Sequence, residues 1–230
     1  MKRSWEKIGA LLVLALVWWP PSDCPAKDCA AGLSEKVPMI IDKAAREVRL
    51  LATVQRKAFQ AGWFKQLPGH HAVTWRQGRK GHEALFATFA GDVEVYDALI
   101  ALGAGPGDNL TQAVWDERNN PNSSAPDTRV QGTPVDAFVW WLGLDDPLPL
   151  ASVLNDPSGK GIDLRFGGQK DLIPVWKSGC IICLQSCPGG KISNRQYTIR
   201  DYVQGRATFT ANKAIVPKEE KRVVVIIRLR

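Results

Sequence analysis

Three cysteines lie close together in the chain, at Cys180, Cys183 and Cys187, and the turn sequence Pro-Gly-Gly follows the last of them. Thiolates at this spacing on a turn can converge on one soft metal ion or cluster, or exchange a disulfide among themselves. The order C-x-x-C-x-x-x-C-P also reproduces the last three cysteines of the bacterial ferredoxin run, although the first cysteine of that run is missing. The motif therefore predicts a soft-ligand site on a loop over residues 179–190.

A fourth donor is needed to close a tetrahedral metal site on three thiolates, and an imidazole is a suitable one. His82 begins an expected strand and is the candidate for this donor, whereas His70 and His71 are interpreted as hydrogen-bonded or surface histidines. The neighbouring Glu83 points to the opposite face if this segment is extended, so it is not expected to share the ligand set. The predicted metal ligands are Cys180, Cys183, Cys187 and His82.

No catalytic residues follow from the spacing of the chain, because no Ser-His-Asp or Cys-His-Asn arrangement can be assigned and no P-loop or dinucleotide fingerprint occurs. The formal charge is +7, but basic and acidic residues are interleaved, as in residues 218–222. This mixture is typical of a solvated surface and argues against a nucleic-acid partner. We therefore expect a non-enzymatic protein.

The beginning of the chain has the pattern of an export signal. A basic start over residues 1–7 precedes an almost unbroken apolar stretch over residues 8–19, which is too short for a comfortable membrane span. We interpret residues 1–26 as the signal, with cleavage as late as residue 31, and residues 33–230 as a single domain. The protein is expected in the periplasm or cell envelope, with no membrane span in the mature chain unless the signal stays uncleaved.

Short apolar or alternating runs, bounded by Gly, Pro, Asn and Asp, predict strands. They lie at residues 37–42, 47–54, 71–76, 84–89, 133–141, 161–166, 207–211 and 223–229. One amphipathic helix is predicted over residues 92–102, packed on the sheet through Val95, Leu99, Ile100 and Leu102. Residues 116–131 are polar without periodicity and predict an exposed loop. The expected fold is α+β, mainly antiparallel sheet with one clear amphipathic helix packed on it.

Five segments of the chain together resemble the YdjY-like domain family. They are KGHEAL at residues 80–85, YDALIALGAGPG at 96–107, DLRFGG at 163–168, GCIICLQSCP at 179–188 and SN at 193–194. The resemblance runs in order from about residue 37 to the end of the chain. It implies an exported bacterial protein with a ferredoxin-like cysteine motif, and it brings no established substrate.

Three functions remain open. The first is metal or iron–sulfur binding on the Cys180, Cys183 and Cys187 loop, in association with an exported redox partner protein. A [4Fe–4S] cluster usually takes four cysteines and requires export of the folded protein, whereas a zinc or copper ion can enter after export. The second is an interaction or structural module whose cysteines form a disulfide staple. The third is thiol–disulfide redox chemistry by Cys180 and Cys183, with Cys187 as the resolving thiol.

Export predicts that the mature chain begins after Cys24, because the basic start and the apolar stretch are removed together. Intact-mass and N-terminal analysis of the protein from a membrane-free extracytoplasmic fraction should give this shortened chain. Recovery of the full-length chain from the cytosol would contradict the prediction.

Overall fold

The computed structural model describes residues 29–61, 69–120 and 127–230. Strands dominate these ranges, and the helices within them are short. The strands are β1 (Met39–Asp42), β2 (Glu47–Val54), β3 (His71–Trp75), β4 (Ala84–Thr88), β5 (Pro134–Trp140), β6 (Leu148–Pro149), β7 (Leu154–Asn155), β8 (Leu164–Phe166), β9 (Cys180–Cys183), β10 (Ile192–Asn194), β11 (Thr210–Ala211) and β12 (Arg222–Leu229). The α-helices are α1 (Arg56–Ala61), α2 (Asp92–Ala101), α3 (Gln112–Asp116), α4 (Ile173–Trp176) and α5 (Ile199–Val203). None of these helices combines the length and the apolar character that a membrane crossing requires.

The main sheet closes on itself as a barrel of eight strands. Its order is β2-β12-β5-β8-β10-β9-β3-β4, and β4 pairs back onto β2. Strand β1 extends this sheet beside β2, β6 pairs with β5, and β7 and β11 form a small separate sheet. Closure gives every barrel strand a hydrogen-bonding neighbour on both sides, so no strand edge in the barrel is left unpaired.

The predicted α+β class is therefore wrong, and the fold is a mostly β, closed barrel. The strands β1, β2, β3, β4, β5, β8 and β12 were predicted from the sequence, but residues 179–190 were assigned to a loop, because Cys, Gly and Pro interrupt the apolar pattern there. Strands β9 and β10 lie in and beside this segment, and they join β8 to β3. Without these two strands β8 and β3 are not connected, and the predicted strands do not form a closed sheet.

Of the four residues predicted to pack helix α2 on the sheet, Val95, Leu99 and Leu102 are buried but Ile100 is not. Val95, Tyr96, Ala98 and Leu99 are buried, whereas Ile100 is 40% exposed and Val93 is 43% exposed. The helix packs against both β2 and β9, which are not neighbours in the barrel, and the Tyr96 ring lies 5.3 Å from that of Phe166. The helix thus covers an opening of the barrel, so its position follows from closure of the sheet.

The barrel wall at β5 and β12 is covered on both faces. Alternate residues of these strands face the main core, among them Val139, Val225 and Ile227. The residues between them pack on the other face in a second cluster, which contains Cys29, Phe138, Trp140, Val224 and Ile226. Both faces being buried explains why β12 reads as a continuous apolar run.

Two pairs of barrel strands are parallel, β3 with β4 and β9 with β10, while β3 and β9 pair antiparallel between them. A parallel pair requires a connection that returns along the strands. These connections are residues 76–83 and 184–191. The first meets the chain entering β9, because the amides of Arg79 and Lys80 donate to the carbonyls of Lys177 and Ser178. These hydrogen bonds fix the position of the chain just before the cysteine motif.

The contact between residues 76–83 and the start of β9 depends on two facing glycines. A Cβ on Gly78 would lie 2.4 Å from the Cα of Gly179. Gly78→Ala should therefore lower the free energy of unfolding by about 1–3 kcal/mol, as overpacking does. A Cβ on Gly105 would meet nothing closer than Thr133 Oγ1 at 3.6 Å. Gly105→Ala is the matched control and should change stability by less than about 0.5 kcal/mol in urea unfolding. Equal effects of the two changes would contradict the argument.

Candidate functional site

An irregular pairing of β3 with β9 brings cysteines and histidines together. Strict alternation would place Cys180 and Cys183 on opposite faces of β9. The register instead shifts between the pairs that involve His71, Val73 and Thr74, and such bulges bend a strand and redirect its side chains. As a result His71 Nδ1 lies 3.2 Å from Cys180 Sγ, and His71 is the backbone partner of Cys183.

The three cysteines form a buried cluster apart from the main core. Cys180, Cys183 and Cys187 are at most 3% exposed, and Trp176 packs against them. None of the three is in a disulfide. The cysteines are therefore free thiols that pack in one buried cluster.

The turn after Cys187 requires small residues. A Cβ on Gly189 would lie 2.6 Å from the Trp176 ring, and a Cβ on Gly190 would lie 2.9 Å from the Cβ of Cys183. Two serines hold the backbone around this turn. Ser178 Oγ donates to the carbonyl of Gly189 and accepts from the amide of Cys180, and Ser193 Oγ donates to the carbonyl of Cys187 and accepts from its amide. The Pro-Gly-Gly sequence is thus explained by close packing.

A buried ion pair joins this turn to helix α2. Lys191 is 2% exposed, and its Nζ lies 2.5 Å from Oδ2 of Asp92, the first residue of the helix. The backbone amide of Lys191 donates to the carbonyl of Cys180 at 3.4 Å. An unpaired charge at this depth would cost several kcal/mol, so each partner requires the other.

Burial sets the protonation of the two neighbouring histidines. Desolvation, and then the charge of Lys80, lower the pKa of His70 from 6.5 to about 3. Desolvation also lowers the pKa of His71 well below its usual value, with His70 and Lys80 adding to the effect. Both imidazoles are therefore neutral at physiological pH, which is the form that binds a metal ion.

The thiols differ in acidity. The hydrogen bond from Cys183, followed by the backbone amides of Gly189 and Gly190, lowers the pKa of Cys187 despite its burial. Desolvation and the hydrogen bonds to its two cysteine neighbours raise the pKa of Cys183 well above its usual value. Cys187 is thus the thiol of this pair that most readily becomes a thiolate.

Several polar atoms beside the thiols have no hydrogen-bond partner. Nδ1 of His70 and Nε2 of His71 are both buried and unpartnered. One ligand atom from each of His70, His71 and Cys183 can be chosen so that all three lie within 4.8 Å of one another. Rings of His70 and Tyr202 lie 4.3 Å apart and close the group on the other side. Two imidazole nitrogens, which are of the kind that bind soft metals, therefore lie beside Cys183 without protein partners.

Of the residues predicted as ligands, the structure brings together Cys180, Cys183 and Cys187 but not His82. The His82 side chain is 78% exposed and its Nε2 lies 3.6 Å from Glu83 Oε1. The histidines beside the thiols are His70 and His71, which were interpreted from the sequence as hydrogen-bonded or surface histidines. The two histidines lie near the cysteines because β3 pairs with β9. Recognition of β9 as a strand in the sequence could have indicated this proximity.

A cavity of about 420 Å³ opens over the cluster. Its volume is within the range of pockets for small molecules, about 300–1,000 Å³. Two of the thiols line it directly, and Cys183 lies behind them. The lining residues are His70, His71, Arg79, Lys80, Gln112, Trp115, Trp176, Ser178, Cys180, Cys187 and Gly189.

The fold and the site together define a closed β-barrel protein with a buried cluster of thiols and imidazoles beneath a cavity. The YdjY domain matches residues 39–228, and the chain belongs to this family, as the resemblance of its motifs predicted. The chain is also 30% identical over 234 residues to the uncharacterized protein YdjY of Escherichia coli (strain K12), which covers 98% of this chain and 96% of that relative. No solved structure matches this chain.

Acid should destabilise the metal-free protein because the buried histidines resist protonation. The pKa of His70 is depressed in the folded state from 6.5 to about 3. The unfolded chain therefore binds more protons than the folded one within this window, and stability falls as pH decreases through it. Each such histidine contributes a slope of up to about 1.4 kcal/mol per pH unit.

The variant His70→Gln should lose up to this slope, measured by urea unfolding in a chelator between about pH 6 and about pH 4. His82→Gln is the control, and it should keep the full slope because it retains both buried imidazoles. Identical pH dependence in the wild type and His70→Gln would show that His70 is not held neutral.

Proposed function

We propose that the protein binds one soft metal ion, zinc or copper(I), through Cys180, Cys183, Cys187 and His71. It would do so in the periplasm or cell envelope, in association with an exported redox partner protein. The observation that carries the proposal is the burial of three cysteine thiols beside His71, a neutral imidazole whose Nδ1 lies 3.2 Å from Cys180 Sγ and whose Nε2 has no partner. Thiolate and imidazole are the ligands that these ions prefer.

The energetics of the cluster support a metal. A buried polar nitrogen without a partner costs about 1–3 kcal/mol, and the cluster contains two such nitrogens. The cysteines also need not all ionise in the apoprotein, because a metal lowers the pKa of a thiol as it binds and releases the proton. A metal ion would therefore satisfy several groups that the protein alone leaves without full partners.

The number of thiols favours a single ion over a cluster. A [4Fe–4S] cluster usually takes four thiolates, whereas the site offers three, Cys180, Cys183 and Cys187. A single zinc ion can be held by three thiolates and one imidazole. The iron–sulfur form is thus the less economical use of this site.

Thiol–disulfide exchange is a second candidate, and it is favoured by the acidity and access of Cys187. Its pKa is lowered, and it lines the cavity. In such a reaction the Cys187 thiolate would attack one sulfur of a substrate disulfide and release the other as a thiol. The Cys183 thiol would then displace the substrate, leaving a Cys183–Cys187 disulfide and a reduced substrate.

The metal proposal predicts one equivalent of tightly bound zinc or copper in reduced protein, measured by elemental analysis after anaerobic loading and desalting. Cys183→Ala should abolish the binding, because it removes the central ligand. His71→Ala should weaken it by at least about 100-fold, since loss of supporting groups alone costs 10–100-fold. Cys29→Ala and His82→Ala are matched controls that should retain one equivalent.

Several results would decide against a single ion. Stoichiometric iron with acid-labile sulfide would establish a cluster instead. Loss of metal in Cys29→Ala as in Cys183→Ala would indicate a general effect on folding. The absence of any bound metal, together with a trapped mixed disulfide at Cys187 in Cys183→Ala, would favour thiol–disulfide exchange.

A further inference from the structure

We propose that the cavity over the thiol cluster binds a small planar anion of the aromatic carboxylate class. The inference goes beyond metal binding, because it rests on the rim and walls of the cavity and does not require the thiols to hold an ion. Three features support the inference: a fixed aromatic wall, an excess of positive charge, and a buried imidazole with one nitrogen that has no hydrogen-bond partner.

The aromatic wall is formed by Trp115 and Trp176, whose ring centroids lie 5.0 Å apart with planes at 70°. Trp176 is held in place, because its Nε1 donates to Gln112 Oε1 at 2.7 Å and its ring rests directly on Gly189. The guanidinium of Arg118 lies 3.9 Å from the centre of the Trp115 ring. A wall that is already ordered loses little side-chain entropy when a flat ligand packs on it.

The charge of the lining is positive. Among the described residues that line the cavity are Arg79 and Lys80 but no Asp or Glu. The Lys80 charge is balanced by Glu83, whose two carboxylate oxygens lie 2.9 and 3.2 Å from Nζ. Within the described part of the chain, the Arg79 side chain has no ion-pair partner within 4.0 Å. A carboxylate on the ligand would supply that partner, and a guanidinium can bind it through two parallel hydrogen bonds.

His70 offers a further polar contact. It lines the cavity, is 5% exposed, and its Nδ1 has no hydrogen-bond partner. It is also the neighbouring imidazole that the proposed metal site does not use. A carboxylate oxygen of a bound ligand could accept a hydrogen bond from this ring, which would satisfy a buried nitrogen. The polar groups are thus few and placed beside an apolar wall, as is typical of small-molecule pockets.

The test compares three probes by calorimetric titration of the mature protein. Benzoate has both a planar aromatic ring and a negative carboxylate. Benzamide has the planar ring without the charge, and cyclohexanecarboxylate has the charge on a ring that is not planar. Benzoate should bind at least tenfold more tightly than either analogue. Arg79→Gln should weaken benzoate by about tenfold or more, which corresponds to one charge-assisted hydrogen bond, and should leave benzamide unchanged.

Arg76→Gln is the matched control. Arg76 is a neighbouring arginine whose guanidinium lies 4.5 Å from the centre of the Phe89 ring, and it does not line the cavity. It should bind benzoate as the wild type does. Equal binding of benzoate and either analogue, or an Arg79→Gln variant with wild-type affinity for benzoate, would overturn the proposal.

The titrations are made on both the metal-free and the zinc-loaded protein, so that the two proposals fail separately. Benzoate binding by a protein that binds neither zinc nor copper(I) would leave the cavity proposal standing and overturn the metal proposal. Zinc binding without benzoate binding would do the reverse. Benzoate binding that disappears in Arg79→Gln while zinc binding persists would support both.

Discussion

The pairing of β3 with β9 is the interaction on which both the barrel and its site depend. It joins segments 109 residues apart in the chain, and it sets His71 Nδ1 at 3.2 Å from Cys180 Sγ. The same pairing completes the ring of strands from β2 back to β4. Its register shifts keep it from being an ordinary ladder. This strand pair is locally irregular, and Cys180 and Cys183 both lie beside His71 as a result.

The surroundings of the cluster are organised to support groups that are costly to bury. Lys191 carries a full charge inside the protein and is matched by Asp92. Ser178 and Ser193 satisfy backbone groups at each end of the cysteine segment, so the turn is held without large side chains. The imidazoles are different, because burial keeps them neutral and yet leaves a nitrogen of each without a partner. A ligand bound at the cluster would give these two buried nitrogens the partners that they lack.

Long apolar or alternating strands could be predicted from the sequence, and β2 was found with its observed limits. The cysteine motif was also recognisable as the site, because its spacing is chemically specific. The class of fold could not be obtained, since β9 and β10 are short and the residues of β9 were interpreted as part of a ligand loop. His70 and His71 were missed for a related reason. Nothing local to them differs from ordinary histidines, and their chemical setting arises from a strand partner far away in the chain.

The distance in sequence between the two halves of the cluster has a consequence for the order of events in biogenesis. The three cysteines are neighbours in any conformation of the chain, whereas the imidazoles join them only when the barrel closes. A metal ion present during folding would first meet thiols alone and would gain its last ligand at closure. The order of affinity for different metal ions is similar in most protein sites, so affinity alone does not determine which ion is bound. If the chain folds after transport, the ion that it retains would then depend on which metal ions are available in the compartment where the barrel closes.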